Sequence, residues 1–358
     1  VQDHTACNLC VKLAADHGFG SLRGFVNGVL RNIARNKDSI VFPDQEKDKR
    51  AYYSVMYSVP EELLEILERD YDYETIDRIL ASGDSDRPTA IRVNTEKISV
   101  TAFSEKLRQN GITVERGSMN DTSLLISGYD YIRKVPGFFD GEFVVQDQSS
   151  CLAVKAAGIN EGDLVVDVCA APGGKTMYAA MLTGSEGHVI SRDLIDKKTE
   201  LIEENIERLG LSNVTVQVHD AREFDEELTG KADVVIADLP CSGLGIMGRK
   251  NDIKYHVSME SVKELAQLQR EILDTVCRYV KPGGTLVYST CTIDSIENDE
   301  NAVWFADTHD FSLCGIDDVV PEHGGERGFV TLHQGIDECD GFFISKFRAD
   351  SNNQIGQE

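Results

Sequence analysis

Apolar residues recur at helical spacing from the start of the chain. Ala6, Leu9, Cys10, Leu13 and Ala14 share one face of a 3.6-residue turn, and after Gly18 and Gly20 so do Leu22, Phe25, Val26, Val29, Leu30 and Ile33. Two amphipathic helices follow from that pattern. Alone they bury too little surface to be stable, so they read as the end of an all-helical domain whose earlier part is missing. From Asn36 to Arg50 the sequence turns polar and charged, as a linker does. Ser58-Val59-Pro60-Glu61-Glu62 predicts a helix start capped by Ser58, and a short helix is expected from Tyr73 to Ala81. After the break at Gly83 to Pro88, a strand at Thr89 to Asn94 and a helix at Val100 to Gln109 are predicted. With strands at Ile112 to Val114, Ser123 to Ile126 and Glu142 to Val145, they make a small α+β unit.

Beyond Val144 the two periodicities alternate. Strands are expected at Leu164 to Val168, His188 to Arg192, Val214 to Val218, Asp233 to Asp238, Gly284 to Ser289 and Gly341 to Phe347. Helices are expected at Thr176 to Leu182, Asp196 to Leu209, Ser258 to Tyr279 and Ser295 to Ala306. Such alternation predicts an α/β, doubly wound sheet with its ligand at the carboxyl ends of the strands.

The 358 residues, 41% hydrophobic and 27% charged, leave room for two or three globular domains. No apolar run is long enough to span a bilayer, and no signal peptide is visible, which excludes a membrane partner from the expectation. Nine cysteines, an odd number scattered through apolar segments, suit a reducing cytoplasm. Cys7 and Cys10 form a CxxC without a second pair, and the eight histidines show no ligand spacing, so no metal is expected. A net charge of −25 argues against a general nucleic-acid binder. It leaves room for a local basic surface, for which Arg23, Arg31, Arg35, Lys37, Lys47, Lys49 and Arg50 are the candidates.

The chemistry gathers around LVVDVCAAPGGKT, Leu164 to Thr176, where a buried strand enters a tight turn and a helix follows. Ala170, Ala171, Gly173 and Gly174 clear side chains from the turn, so a ligand can approach backbone N–H groups at the positive end of the helix. The spacing fits neither a Walker loop nor a strict dinucleotide fingerprint. Acidic residues follow successive strands: Asp193, placed to accept ribose hydroxyls, Asp220, placed to reach an adenine amine, and Asp238. DLPCSG (Asp238 to Gly243) and STCT (Ser289 to Thr292) each set a thiol just past a strand end on the same side of the sheet. A free thiol is only a few per cent ionised near neutrality, so a reacting one needs a cation or dipole beside it, and Lys175 can supply that charge. Cys151, Cys169, Cys277, Cys314 and Cys339 lie among apolar residues as packing groups.

DVCAAPGGKT, DLPCSG and STCT, preceded by VQDQSS (Val145 to Ser150) and RVNTEK (Arg92 to Lys97), resemble the RNA cytosine-5 methyltransferases of the RsmB/Nop2/Sun group. The resemblance runs from about Ser58 to DGFFISKFR at Asp340 to Arg348. LRGFVNGVLRNIAR, Leu22 to Arg35, resembles the last helix of the NusB-like domain of the bacterial RsmB branch. It implies a NusB-like helical remnant at 1–38, a linker and helical segment at 39–85, a small RRM-like domain at 86–145, a Rossmann-like methyltransferase domain with a seven-stranded sheet at 146–350, and a tail at 351–358. No aromatic RNP motif is visible in the small domain, so base stacking is not expected there.

The implied reaction is S-adenosylmethionine-dependent methylation of a cytosine in small-subunit rRNA by a cytoplasmic monomer, through a covalent cysteine adduct. The resemblance assigns Cys291 as nucleophile and Cys241 to proton removal or adduct release. Asp238 would bond the base or the cofactor, and Lys175 would orient the cluster. DNA cytosine-5 methyltransferases use the Pro-Cys thiol instead, so spacing alone leaves the two roles reversible. The cofactor would lie on Cys169, Ala170, Ala171, Pro172, Gly173, Gly174, Lys175, Asp193, Asp220, Ala221 and Asp238, and RNA on Arg23, Arg31, Arg35, Arg92, Arg249 and Lys250. The alternatives are the same reaction on tRNA or another rRNA site, a DNA methyltransferase, and a non-catalytic RNA-binding assembly factor.

Overall fold

The computed structural model describes residues 2–84, 87–321 and 323–351. The expected boundary at 85/86 and the tail beyond residue 351 lie outside the described residues. The chain divides into two compact units, Val1–Val59 and Pro60–Glu358.

In the first unit the predicted helices form as α1 (Asp3–Asp16) and α2 (Arg23–Asn36), joined by an ion pair of 3.0 Å between Lys37 and Asp3. The expected linker is partly ordered. A 3₁₀ turn covers Lys37–Ser39, and α3 (Lys49–Met56) starts where the Asp48 carboxylate accepts the Ala51 N–H at 3.0 Å. Sequence reasoning missed α3 because its first residues, Lys49 and Arg50, continue the charged run.

The second unit opens with α4 (Glu61–Asp70) and α5 (Tyr73–Ala81). Pro60 occupies the cap position of α4, and Ser58, at φ +50°, lies too far upstream, so the expected Ser58 cap is corrected. Strands β1 (Thr89–Val93), β2 (Thr113–Arg116), β3 (Ser123–Ser127) and β4 (Phe143–Val145) make an antiparallel sheet in the order β2-β3-β1-β4. Helix α6 (Val100–Gln109) buries Phe103 and Leu107 with Ile91, Leu124, Ile126 and Phe143 in one core.

The remaining elements are α7 (Gln148–Ala157), β5 (Leu164–Asp167), α8 (Gly174–Thr183), β6 (His188–Asp193), α9 (Asp196–Leu209), β7 (Val214–Val218), β8 (Ala232–Asp238), α10 (Met259–Val276), β9 (Val280–Thr290), α11 (Asp299–Thr308), β10 (Phe311–Leu313), β11 (Phe329–Leu332) and β12 (Phe342–Ala349). The sheet runs β10-β12-β9-β8-β5-β6-β7, seven strands as expected, with β11 added as an eighth beside β12. Strands β7, β6, β5, β8 and β9 are parallel and β12 is antiparallel to β9. The order reverses at β5, which lies between β6 and β8, and a crevice opens at the carboxyl ends of the strands there. Helix α7 carries no amphipathic stripe because nearly all of its residues are buried, and β10 and β11 are too short to show a period of two. Helix α11 begins at Asp299, not Ser295, since 295–298 serve the loop after β9.

One clamp ties the small sheet to the large one. The Arg208 guanidinium, in the last turn of α9, donates to the carbonyls of Phe138 (2.9 Å) and Phe143 (3.0 Å) and stacks 4.5 Å from the Phe138 ring. Gly141 makes this approach possible: it sits at φ +66°, and a Cβ there would fall 2.2 Å from the Arg208 carbonyl oxygen. Gly141→Ala is expected to lower unfolding free energy by about 2 kcal/mol or more, read as a lower midpoint in urea at unchanged slope.

Candidate active site

Strand β5 ends in Asp167, and the chain turns through 168–173 into α8. Val168 N–H donates to the Ile236 carbonyl (3.1 Å), Ala170 N–H to Arg192 (2.8 Å) and Gly173 N–H to Ala170 (2.7 Å), so the turn is stitched to both neighbouring strands. The Ala171–Pro172 peptide is cis, and Gly173 caps α8 at φ +99°, a conformation that favours glycine. A cavity of about 210 Å³ opens against this turn. Of the residues expected to hold a cofactor, Cys169, Ala170, Ala171, Pro172, Gly174, Lys175 and Asp238 line it.

The others lie outside its lining. Asp193 accepts the N–H groups of Ala171 (3.2 Å) and Ile195 (3.3 Å), holding the turn from the end of β6. Asp220 is held by Arg222 (Nε 3.1 Å, Nη2 2.7 Å), whose guanidinium keeps the carboxyl below its usual range. Ala221 is buried in the core between the sheet and its helices.

Sequence reasoning missed Asp167, Gln146 and Ser150, which also line the cavity. Asp167 is fully buried. Thr176 Oγ1 donates to its Oδ2 at 2.7 Å, while Oδ1 finds no partner among the described residues, and burial pushes the carboxyl up to about 7. An aspartate closing an apolar strand was the available signal.

The two thiols meet because the loops after β8 and β9 are zipped together. Leu239 N–H donates to Ser289 (3.0 Å), Gly245 N–H to Cys291 (3.0 Å) and Gly341 N–H to Gly245 (2.8 Å). Ser242 Oγ and Thr292 Oγ1 lie 2.7 Å apart. A Cβ at Gly245 would fall 2.0 Å from the Gly341 carbonyl oxygen, so glycine is needed for the loops to touch. The outcome is a distance of 3.3 Å between Cys241 Sγ and Cys291 Sγ, both free thiols.

Their environments differ. The hydrogen bond with Cys241 lowers Cys291 below the usual thiol range, against burial and the Asp238 charge; Lys175 and Lys250 pull the same way as the hydrogen bond. Cys241 is pushed well up by that same bond and by burial. The two directions favour Cys291 as the thiolate of the pair. Lys175 donates to Asp238 Oδ2 at 2.6 Å, Ser289 Oγ donates to Oδ1 at 2.9 Å, and the ammonium sits 4.9 Å from the Phe342 ring centre. Beneath Cys241, the buried Glu297 accepts from Ser242 N–H and Gln269 Nε2, both at 2.9 Å. Its Oε1 has no partner among the described residues, and burial pushes it up to about 7.

The expected RNA ligands fare differently. Arg23, Arg31 and Arg35 are exposed along α2, and Lys250 is exposed in the loop after β8. Arg249 is drawn to Asp340 (2.7 Å) and Asp147 (3.5 Å). Arg92 is a correction: it is 1% exposed, lies 4.3 Å from the Tyr178 ring and donates to Gln146 Oε1 at 2.7 Å. A guanidinium placed there supports the wall of the cavity and does not reach solvent, where a phosphate would meet it.

Residues 155–348 match the family model described as 16S rRNA methyltransferase RsmB/F, and residues 59–130 match the ferredoxin-like domain described for RsmF/B-like methyltransferases. The "Probable ribosomal RNA small subunit methyltransferase B" of Bacillus subtilis (strain 168) is 35% identical, the match covering 97% of this chain and 78% of that protein. Ribosomal RNA small subunit methyltransferase B of Vibrio cholerae is 32% identical over 96% of this chain and 76% of its own length. A methyltransferase homologue of Pyrococcus horikoshii has a crystal structure similar to this one, with a TM-score of 0.72 and 26% identity over 83% of this chain and 97% of that chain.

The buried carboxyls set a pH dependence. Asp167 and Glu297 bind protons more tightly folded than unfolded, where a carboxyl titrates near about 4. Their contribution is therefore full below about pH 4 and is lost as pH rises toward 7. Glu297→Gln, which keeps an acceptor for Ser242, is expected to flatten that fall by up to about 1.4 kcal/mol per pH unit, measured by urea unfolding across the range. An unchanged slope would mean that Glu297 is ionised in the fold.

Proposed function

The chain belongs to the RsmB/F family of 16S rRNA methyltransferases, and we propose that it methylates carbon 5 of a cytosine in small-subunit ribosomal RNA through a covalent adduct. The observation that carries this is the pair of free thiols 3.3 Å apart, beside a lysine held by Asp238. Carbon 5 of cytosine is a weak nucleophile until a thiolate adds to carbon 6. Cys291 makes that bond, and the ring electrons it displaces gather at carbon 5. Bound S-adenosylmethionine supplies the electrophilic methyl group for that carbon. Cys241, once its own proton has passed to solvent, removes the carbon 5 proton, the carbon 6–sulfur bond breaks, and Cys291 returns as thiolate.

The residues lining the cavity suit this cofactor. The unpartnered Asp167 Oδ1 can accept from an ammonium group. Around it, the helix N-terminus at Gly174 and the bare backbone of 169–174 can receive a carboxylate. Lys175, fixed by Asp238, presents a donor to the base and holds a positive charge beside the Cys291 thiolate. Asp238 takes the remaining contact to the base or the cofactor. Asp193 and Asp220 lie past the next two strands, where the ribose and adenine would fall. The exposed arginines of α2, with Lys250, would hold RNA phosphates, and the small antiparallel sheet would contribute to RNA placement.

Cys291→Ala is expected to lower methylation by about a thousandfold or more and to form no covalent RNA complex, whereas Cys241→Ala accumulates one, seen by denaturing gel with labelled RNA. The reverse pattern would exchange the two roles. Bisulfite sequencing of rRNA and tRNA from cells with and without the gene is expected to lose one signal in small-subunit rRNA; a loss in tRNA would reassign the substrate. Replacing Arg23, Arg31 and Arg35 by Gln is expected to weaken RNA binding and to reduce its logarithmic salt slope by about 2, measured by filter binding.

A further inference from the structure

A second cavity, of about 630 Å³, lies beside the loop that carries the nucleophile and takes no part in the chemistry described so far. Its lining includes Ile293 and Ser295, two and four residues after Cys291, with Tyr71 at the end of α4, Asp299 at the start of α11, Arg327, and His333 just past β11. The volume is in the range of small-ligand sites.

The lining has the chemistry of a base-binding pocket. Tyr71 and His333 meet edge to face, with ring centres 5.1 Å apart, presenting aromatic surface in two orientations. His333 Nε2 is buried and finds no hydrogen-bond partner among the described residues, and burial keeps the imidazole below its usual range, hence neutral. A neutral ring nitrogen without a partner is costly unless a ligand supplies one. Asp299 offers an acceptor, and the exposed Arg327 offers a cation.

The cavity is also bonded to the catalytic loop. Tyr71 OH donates to the Ile293 carbonyl at 2.5 Å, and the Asp70 carboxylate accepts from Ser295 N–H (3.0 Å) and Ser295 Oγ (2.8 Å). Arg69 reaches Asp294 at 2.9 Å. A ligand seated there touches the segment that positions the thiolate.

We propose that this cavity receives a nucleotide flanking the target cytosine, with its base against Tyr71 and His333 and its phosphate at Arg327. The proposal rests on the reading of the chain as an RNA methyltransferase and adds to it a site that reads sequence context. The aromatic pair holds the base, Asp299 accepts from it, and the exposed cation holds the backbone.

The test uses the full chain and short RNAs containing the methylated cytosine, each with one flanking nucleoside made abasic. For the wild type, one abasic position is expected to raise KM about tenfold. His333→Phe, which keeps the ring and loses its nitrogens, is expected to raise KM for intact RNA and to lose most of that positional penalty, with S-adenosylmethionine affinity unchanged. Arg327→Ala, at an exposed side chain, is expected to raise KM at unchanged kcat and to lower the salt slope by about 0.7. Equal penalties at every abasic position in wild type and variant, or an unchanged KM in Arg327→Ala, would overturn the cavity's role. Failure of the wild type to methylate intact RNA would instead remove the functional reading beneath it.

Discussion

Two sulfur atoms 3.3 Å apart can do different work only if the proton between them has an owner. In water both thiols would titrate alike. Here the hydrogen bond between them separates them: it lowers Cys291, helped by Lys175 and Lys250 against burial and Asp238, and together with burial it raises Cys241. The Lys175–Asp238 pair is part of the same arrangement, since a lysine held at 2.6 Å by a carboxylate is fixed in direction. The backbone contact at Gly245 and Gly341 supplies the geometry, and the hydrogen bond between the sulfurs supplies the asymmetry.

The site carries costs that the rest of the fold offsets. Asp167 and Glu297 are buried carboxyls, each with an oxygen lacking a partner among the described residues. Neither belongs in a structure optimised for stability alone. Both stand next to the reacting groups, Asp167 at the cavity and Glu297 beneath the Cys241 loop, while the apolar cores on the two faces of the sheet are continuous and fully buried.

Much of this was legible in the residues, and the gaps have physical reasons. Helices with one apolar face, such as α5, α6 and α9, were visible over their full lengths because periodicity reports burial on one side. Helix α7 was invisible because it is buried all round, and β10 and β11 because three or four residues hold no pattern. The Gly-rich turn and both thiols were legible because a tight turn demands glycine and proline, and because cysteines just past strand ends stand out in a sequence. Arg92 was misread because charge in a sequence suggests solvent, whereas its guanidinium is accommodated by Tyr178 and Gln146 inside the protein. Nothing in the spacing of Tyr71, Ile293 and His333 could have announced that they line one cavity.

The Arg208 clamp has a consequence for modularity. Helix α9 starts just after Asp193, the residue that braces the turn following β5, and ends at the carbonyls of Phe138 and Phe143. Its 14 residues make a strut about 21 Å long with one foot in each domain. Excising the small sheet would strip the far foot of its anchor and expose the arginine's stacked face. The large-sheet portion is therefore not a portable cassette, and a transplant to another scaffold would have to carry the small sheet with it.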